Sequence, residues 1–233
     1  MARLKRLVVP RIPHHVSQRV VAGGSAFVDA TDCEAFVSSL RLCSAEHQVS
    51  VLAYALLNQQ VHLILIPERV DSLGKMMQAL TRQYVGPFNR RHARRGTLWQ
   101  ARFSSAPVQS TTHLLDCVVY AEQAPQRAGF VGAAFEYPWS SACHHAGLRS
   151  EGWLTAMPAD SGYWKLGNTP FERDAAYRRL LEQPLIAREI QRIDSTVLKG
   201  WALGSAEFLA EIGASVGRRA SPSPRGRPPL GRR

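Results

Sequence analysis

Val49-Ser50-Val51-Leu52-Ala53-Tyr54-Ala55-Leu56-Leu57, Asn58-Gln59 and Gln60-Val61-His62-Leu63-Ile64-Leu65-Ile66 form the stretch that decides the architecture. Two apolar runs of strand length flank a polar pair, which predicts a β-hairpin. Both runs are too short to cross a bilayer, and no longer apolar run exists, so no transmembrane helix is expected. In the second run Val61, Leu63 and Leu65 share the face that points to a core. Gln60 and His62 share the opposite face.

Upstream, His14–Val21 reads as a first strand ended by Gly23-Gly24. Between it and the hairpin, Thr31-x-x-Glu34 reads as a capping box opening a helix that runs to about His47. Phe36, Val37, Leu40 and Cys43 lie on one face of that helix. Downstream, a second helix is predicted from Ser72 towards Phe88, with Pro87 blurring its end. Leu98–Val108 reads as a short extended segment. A third helix starts near Thr111 or Thr112, packs through Leu114, Leu115, Val118 and Val119, and stops before Pro125. This β-α-β-β-α-β-α order predicts an α+β fold, an antiparallel sheet with helices on one face. Phe171–Gln183, Ala187–Val197 and Ala206–Ile212 are further helical stretches without an assignable place.

With 233 residues, 45% of them apolar, the chain can bury a substantial core, which excludes wholesale disorder. Lys and Arg number 29 against 18 acidic residues, a formal charge of +11. Such an excess favours a polyanionic partner, nucleic acid ahead of a membrane surface because no basic amphipathic anchor is evident. The charge is concentrated in acid-free clusters: Arg3 to Arg19, Arg90-Arg91-His92 with Arg94-Arg95, and the stretch from residue 214 to the end. Leu7-Val8-Val9 is cut short by Pro10 and Arg11, which leaves no secretory h-region. Cys33, Cys43, Cys117 and Cys143 form no C-x-x-C pair and read as reduced structural thiols in a cytoplasm. From Ala220 the chain is rich in Pro, Ser and Gly and reads as a disordered basic tail. Its Pro224-Arg225-Gly226-Arg227-Pro228 resembles an AT-hook core, which makes Arg225 and Arg227 candidate minor-groove contacts.

Several ordered blocks resemble those of the REP-associated tyrosine transposases, a branch of the single-tyrosine HUH transposases. They are Pro13-His14-His15-Val16-Ser17-Gln18-Arg19, Gln60-Val61-His62-Leu63-Ile64-Leu65, Phe88-Asn89-Arg90-Arg91-His92 and Gly96-Thr97-Leu98-Trp99-Gln100-Ala101-Arg102-Phe103. Tyr120-x-x-x-x-Pro125-x-Arg127-Ala128-Gly129 and Tyr137-Pro138-Trp139-Ser140-Ser141 follow. The resemblance spans roughly residues 8–145. It implies a ferredoxin-like fold and an enzyme that cuts single-stranded DNA beside an imperfect hairpin, forms a 5′-phosphotyrosine with a free 3′-hydroxyl, and rejoins strands. The organisation then expected is a transposase-like domain over 1–149, a helical extension over 150–217 and the tail over 218–233.

By that resemblance Tyr120 is the candidate nucleophile, although a phenol needs a cation or a base to ionise near neutrality. The cation would be divalent, Mg²⁺ or Mn²⁺, held by two histidines flanking one apolar residue on a strand. Here the triplet is Gln60-Val61-His62, so Gln60 and His62 are the candidate ligands. An amide oxygen can ligate such a cation but is neutral. One helical turn beyond the tyrosine, where the family places an Asn or Gln ligand, this chain has Ala124. Arg90, Arg91, Arg94 and Arg95 are phosphate-binding candidates, with Trp99 and Phe103 near them to stack on bases or pack beneath them. Arg19 and Arg102 join these candidates. His14-His15 and His144-His145 are left unassigned, because neighbours on a strand face opposite ways.

Three functions remain open. One is an active transposase nicking single-stranded hairpin DNA. A second is a descendant that binds hairpin DNA without cutting. A third is a basic RNA-binding protein, disfavoured because no strand carries the aromatics and glycines of an RNP motif. The resemblance further implies a bacterial cytoplasm and association with the nucleoid, with the protein a monomer or a homodimer.

Overall fold

A computed structural model describes residues 6–222, so Arg225 and Arg227 lie outside the described residues. The first six elements are β1 (His14–Arg19), α1 (Ala30–Glu46), β2 (Val49–Leu57), β3 (Gln60–Pro67), α2 (Ser72–Arg91) and β4 (Ser104–Pro107). The strands form one sheet in the order β2-β3-β1-β4, antiparallel at every step. This is the ferredoxin-like arrangement, with β1 central although it is first in the chain. The hairpin closes tightly, with Leu57 opposite Gln60, and a bulge interrupts it between Val51 and Ala53. Backbone hydrogen bonds from the segment around Trp139–Ser141 cover part of the outer edge of β2, and Leu203 does the same for β4.

The period-2 alternation in β3 holds. Val61, Leu63 and Leu65 pack in one core with Phe36 and Leu40 of α1 and Leu73, Met76 and Leu80 of α2. Each such side chain, fully buried, contributes about 1.5–3 kcal/mol. One local expectation fails, and one helix runs past the residue that blurred its end. The capping residue of α1 is Asp29, not Thr31. Its extended backbone (φ −148°) lets the carboxylate accept from the Asp32 amide at 3.2 Å, two residues before the expected box. Helix α2 also runs through Pro87 to Arg91. A mid-helix proline costs roughly 3 kcal/mol. Tyr84 and Phe88 bracket it, stacked on each other and buried, and the Tyr84 hydroxyl donates to the Ala26 carbonyl.

Helices cover the second face of the sheet as well, which corrects the one-sided picture. After β4 come α3 (Ser110–Glu122), α4 (Ala124–Arg127), α5 (Ala142–His145), α6 (Pro170–Glu182), α7 (Ala187–Lys199) and α8 (Ala206–Val216). Leu114, Cys117 and Val118 of α3 pack on Ala53, Ile64 and Ala106 of the sheet. Tyr177 and Leu181 of α6 and Ile193 and Val197 of α7 complete the same core. Ile64 and Ile66 share the face of Gln60 and His62, so half of that strand face is apolar and requires cover.

A buried carboxylate anchors the end of α3. Glu122, 0% exposed, accepts from Ser141 Oγ at 2.5 Å and Tyr177 Oη at 2.6 Å, and lies 2.6 Å from His145 Nδ1. Three polar partners satisfy a group that would otherwise be costly to bury. The next residue, Gln123, donates from Nε2 to the carbonyls of Leu181 and Gln183 at 3.0 and 2.8 Å, closing the C-terminal end of α6.

Candidate functional site

The polar half of the second face lies where β1 and β3 pair. Ser17 stands opposite His62, Arg19 opposite Gln60 and His15 opposite Ile64, so His15, Ser17, Arg19, Gln60 and His62 share that face. Helix α3 crosses it and lays Tyr120 over the two imidazoles. The Tyr120 ring centroid is 5.5 Å from that of His15 and 5.4 Å from that of His62. His15 Nε2 and His62 Nδ1 are 3.0 Å apart, a hydrogen bond between buried rings.

Two groups beyond the expected set complete the centre. Gly129, at φ +75°, ends the turn that carries α4. Arg127 of α4 donates to the Tyr120 carbonyl at 2.6 Å, and its guanidinium carbon lies 4.3 Å from the centre of the Tyr120 ring. From α7, Asp194 faces Arg19 at 3.7 Å, with both side chains partly exposed.

Burial sets the protonation states. It lowers His15 to about 3, with Arg127 adding to the effect. His62 is held well below its ordinary value by burial, then by His15, Arg127 and Arg19. Tyr120 is raised, first by burial and then by Asp194, against the opposing pull of Arg127 and Arg19. At neutral pH the centre therefore holds two uncharged imidazoles and a protonated phenol under guanidinium groups.

His62 and Gln60 share the expected face, and one polar atom of each has a partner among the described residues, which leaves His62 Nε2 and Gln60 Oε1 without one. His62 Nδ1 meets His15, and Gln60 Nε2 donates to Ser17 Oγ at 2.8 Å. Ala124 offers no donor, and its neighbours Glu122 and Gln123 serve the core. Among the described residues no group of three or more His, Cys, Asp or Glu side chains is placed to hold a metal ion. These side chains do not fit the three-donor cation site that the resemblance implies.

The basic segment divides. Arg91 is not a free cation, because it pairs with Asp29 at 2.5 Å and with Asp32 at 2.6 Å. The last turn of α2 lies beside the N-terminus of α1, where those carboxylates collect. Arg90, Arg95 and Arg102 are exposed. Arg94 leans over the Phe88 ring at 5.7 Å, and its buried Nη1 has no partner. Trp99 and Phe103 are 6% and 8% exposed within the α1–α2 core, so they pack beneath the arginines and do not form a stacking platform. The segment runs back along β1, with the Gln100 amide donating to the Arg19 carbonyl at 3.0 Å. His14 faces the other way and binds the Ile12 carbonyl and the Val9 amide. His144 accepts from the Glu151 amide, and His145 belongs to the Glu122 cluster. Among the described residues no helix is long and apolar enough to cross a membrane, and all four cysteines are free.

Asp194 was not singled out in the sequence, His15 was left without a role, and Arg127 stood only within a block resembling the transposases. The alternation of β1 was one available signal, since it places His15 on the face of Ser17 and Arg19.

No protein-family model matches the sequence, and no curated protein sequence matches it. Among solved structures, a REP-associated tyrosine transposase bound to a REP hairpin is similar at 17% identity with a TM-score of 0.54. The match covers 68% of this chain and 94% of that one. A candidate transposase from Deinococcus radiodurans is similar at 19% identity over 48% of this chain and 90% of that one. Its TM-score of 0.37 is too low to carry an argument. By its sheet order and its helices, this chain shares the fold of a REP-associated tyrosine transposase.

Proposed function

We propose that the protein binds hairpin DNA and breaks and rejoins an adjoining single strand through Tyr120. One observation carries this reading: the Tyr120 ring sits on His15 and His62 with the Arg127 guanidinium over it, on the shared fold. A tyrosine placed only for packing needs no such polar surroundings. The DNA-bound state of the similar structure and the basic surface both support a DNA partner.

In the reaction the Tyr120 oxygen bonds to phosphorus as the P–O3′ bond breaks. The phenolic proton is lost to solvent, and the departing 3′-oxygen takes one up. The products are a 5′-phosphotyrosine and a 3′-hydroxyl. Attack by a 3′-hydroxyl on the phosphotyrosine reverses the sequence and reseals DNA, so no external energy is needed. In this reading residues 1–149 carry the chemistry, residues 150–217 brace it and the tail adds phosphate contacts. The protein then works in the bacterial cytoplasm at the nucleoid.

The altered donors at Gln60 and Ala124 favour a second reading, a descendant that binds hairpins without cutting. The deciding experiment incubates the protein with labelled hairpin DNA carrying single-stranded flanks, in Mg²⁺, Mn²⁺ or EDTA. A covalent adduct on a denaturing gel that is absent from Tyr120→Phe supports strand transfer. Hairpin binding with no adduct in any condition supports the second reading.

A further inference from the structure

The set that the resemblance assigns to a cation has no donor at Ala124 and a neutral amide at Gln60, while two guanidinium groups border the same face. We propose that Arg127 and Arg19 form the phosphate-binding site of the single strand at Tyr120, supplying the positive charge that a divalent cation would otherwise provide. This inference rests on the strand-transfer reading and names the groups that would hold its substrate.

The geometry supports the assignment in three ways. Arg127 is positioned before any ligand arrives. Its bond to the Tyr120 carbonyl and its contact with the ring fix the guanidinium beside the nucleophile; burial lowers its pKa, yet part of the residue stays exposed to an incoming strand. A guanidinium fork suits phosphate oxygens in shape as well as charge. Second, the fold already holds an anion against the other arginine. Asp194 faces Arg19 at 3.7 Å with both groups partly exposed, and an exposed pair of that kind is weak. A phosphodiester can displace it at little cost. Arg91, by contrast, is committed to two carboxylates at 2.5 and 2.6 Å.

Third, the local field has the sign an anion requires. Arg127 lies over the Tyr120 ring, which rests on His15 and His62, and Arg19 stands on the strand face of His62 and Gln60. Two guanidinium groups at one face repel a dication and attract a phosphate. The same charges stabilise the phenolate that develops as Tyr120 attacks.

The test uses the full chain and two labelled DNAs, a blunt hairpin and the same hairpin with single-stranded flanks. Binding is read by fluorescence anisotropy in EDTA, for the wild type, Arg127→Ala, Arg127→Lys and Arg19→Ala. Adduct formation is read on denaturing gels in EDTA and in Mn²⁺. We expect Arg127→Ala and Arg19→Ala each to weaken the flanked DNA about tenfold, the size of a lost charge-assisted hydrogen bond, and the blunt hairpin by less than about twofold. Arg127→Lys should keep part of the affinity. Arg19→Ala changes an exposed side chain, so its result stands even if Arg127→Ala disturbs α4. Wild-type adduct should form equally well in EDTA and in Mn²⁺, and added guanidinium should restore it in Arg127→Ala. An adduct that requires Mn²⁺, or losses that are absent or equal on both DNAs, overturns the proposal. If no wild-type adduct forms in any condition, strand transfer fails as a function. The flank-selective loss then decides the phosphate site alone, supporting it if present and overturning it if absent.

Discussion

His15 of β1 and His62 of β3 meet at 3.0 Å beneath the Tyr120 ring, so the centre of the sheet face is an imidazole pair shared between two strands. Both rings are buried and uncharged at neutral pH. Only one nitrogen in that contact can carry a proton, and His15 Nδ1 has no partner. The arrangement suits a neutral platform under the phenol, with the positive charge supplied from the rim.

That burial makes stability depend on pH. His14 is lowered to about 4 and His15 to about 3, each chiefly by burial, against an unfolded value near 6.5. A histidine depressed in the folded state takes up protons more readily when unfolded. Its contribution is therefore fully present above about pH 6.5 and is lost as pH falls towards 4 and 3. The melting temperature should drop steadily over that window, and His14→Gln should flatten the upper part of the decline. A melting temperature constant from pH 7 to pH 4 would contradict the buried state of both rings.

The Glu122 cluster should be sensitive to the loss of one donor. Tyr177→Phe leaves the carboxylate with one partner fewer in a fully buried site, at a cost of about 1.5–3 kcal/mol. Equilibrium denaturation measures this directly. A change below about 0.5 kcal/mol would mean that the tyrosine hydroxyl does not bind the carboxylate in solution.

For the core beneath α1 and α2, Leu63→Ala removes a fully buried side chain from the central hairpin and should destabilise the fold by about 2–5 kcal/mol. Arg90→Ala, at an exposed position near the end of α2, should leave the denaturation midpoint unchanged.

Arginines of the basic segment should separate by salt dependence. Replacing an exposed Arg90, Arg95 or Arg102 by Ala should reduce the slope of log affinity against log salt by about 1 for each phosphate that is no longer neutralised. Arg91→Ala should leave that slope nearly unchanged and instead loosen the docking of α2 on α1, because its partners are Asp29 and Asp32. An Arg91→Ala slope as altered as that of Arg90→Ala would show that the ion pairs open in the complex.

The features that were readable from sequence are the local ones. Alternation in Gln60–Leu65 separated the core face from the site face, and the helix carrying Tyr120 was visible from Leu114, Val118 and Val119. What stayed hidden depends on pairing across the chain. His15 joins the site only because β1 inserts between β3 and β4, and Asp194 only because α7 folds back over the sheet. One local reading gave way to packing, as Asp29 took the cap from Thr31, and the end of α2 that Pro87 had blurred was set by the buried Tyr84–Phe88 stack. Arg127 lay within a block resembling the transposases, yet its purpose emerged only once its guanidinium was seen over Tyr120.

Glu122 lies two residues beyond Tyr120 and takes one of its donors from α6, while α7 supplies the carboxylate facing Arg19. The last third of the chain thus helps shape a centre whose chemistry-bearing side chains come from the first 130 residues. Substitutions in α6 and α7 can shift the tilt of the helix that carries Tyr120 and the charge at its rim while every block resembling the transposases stays intact. On the proposed function, such changes would move the protein between cutting and merely holding DNA without altering any of those blocks.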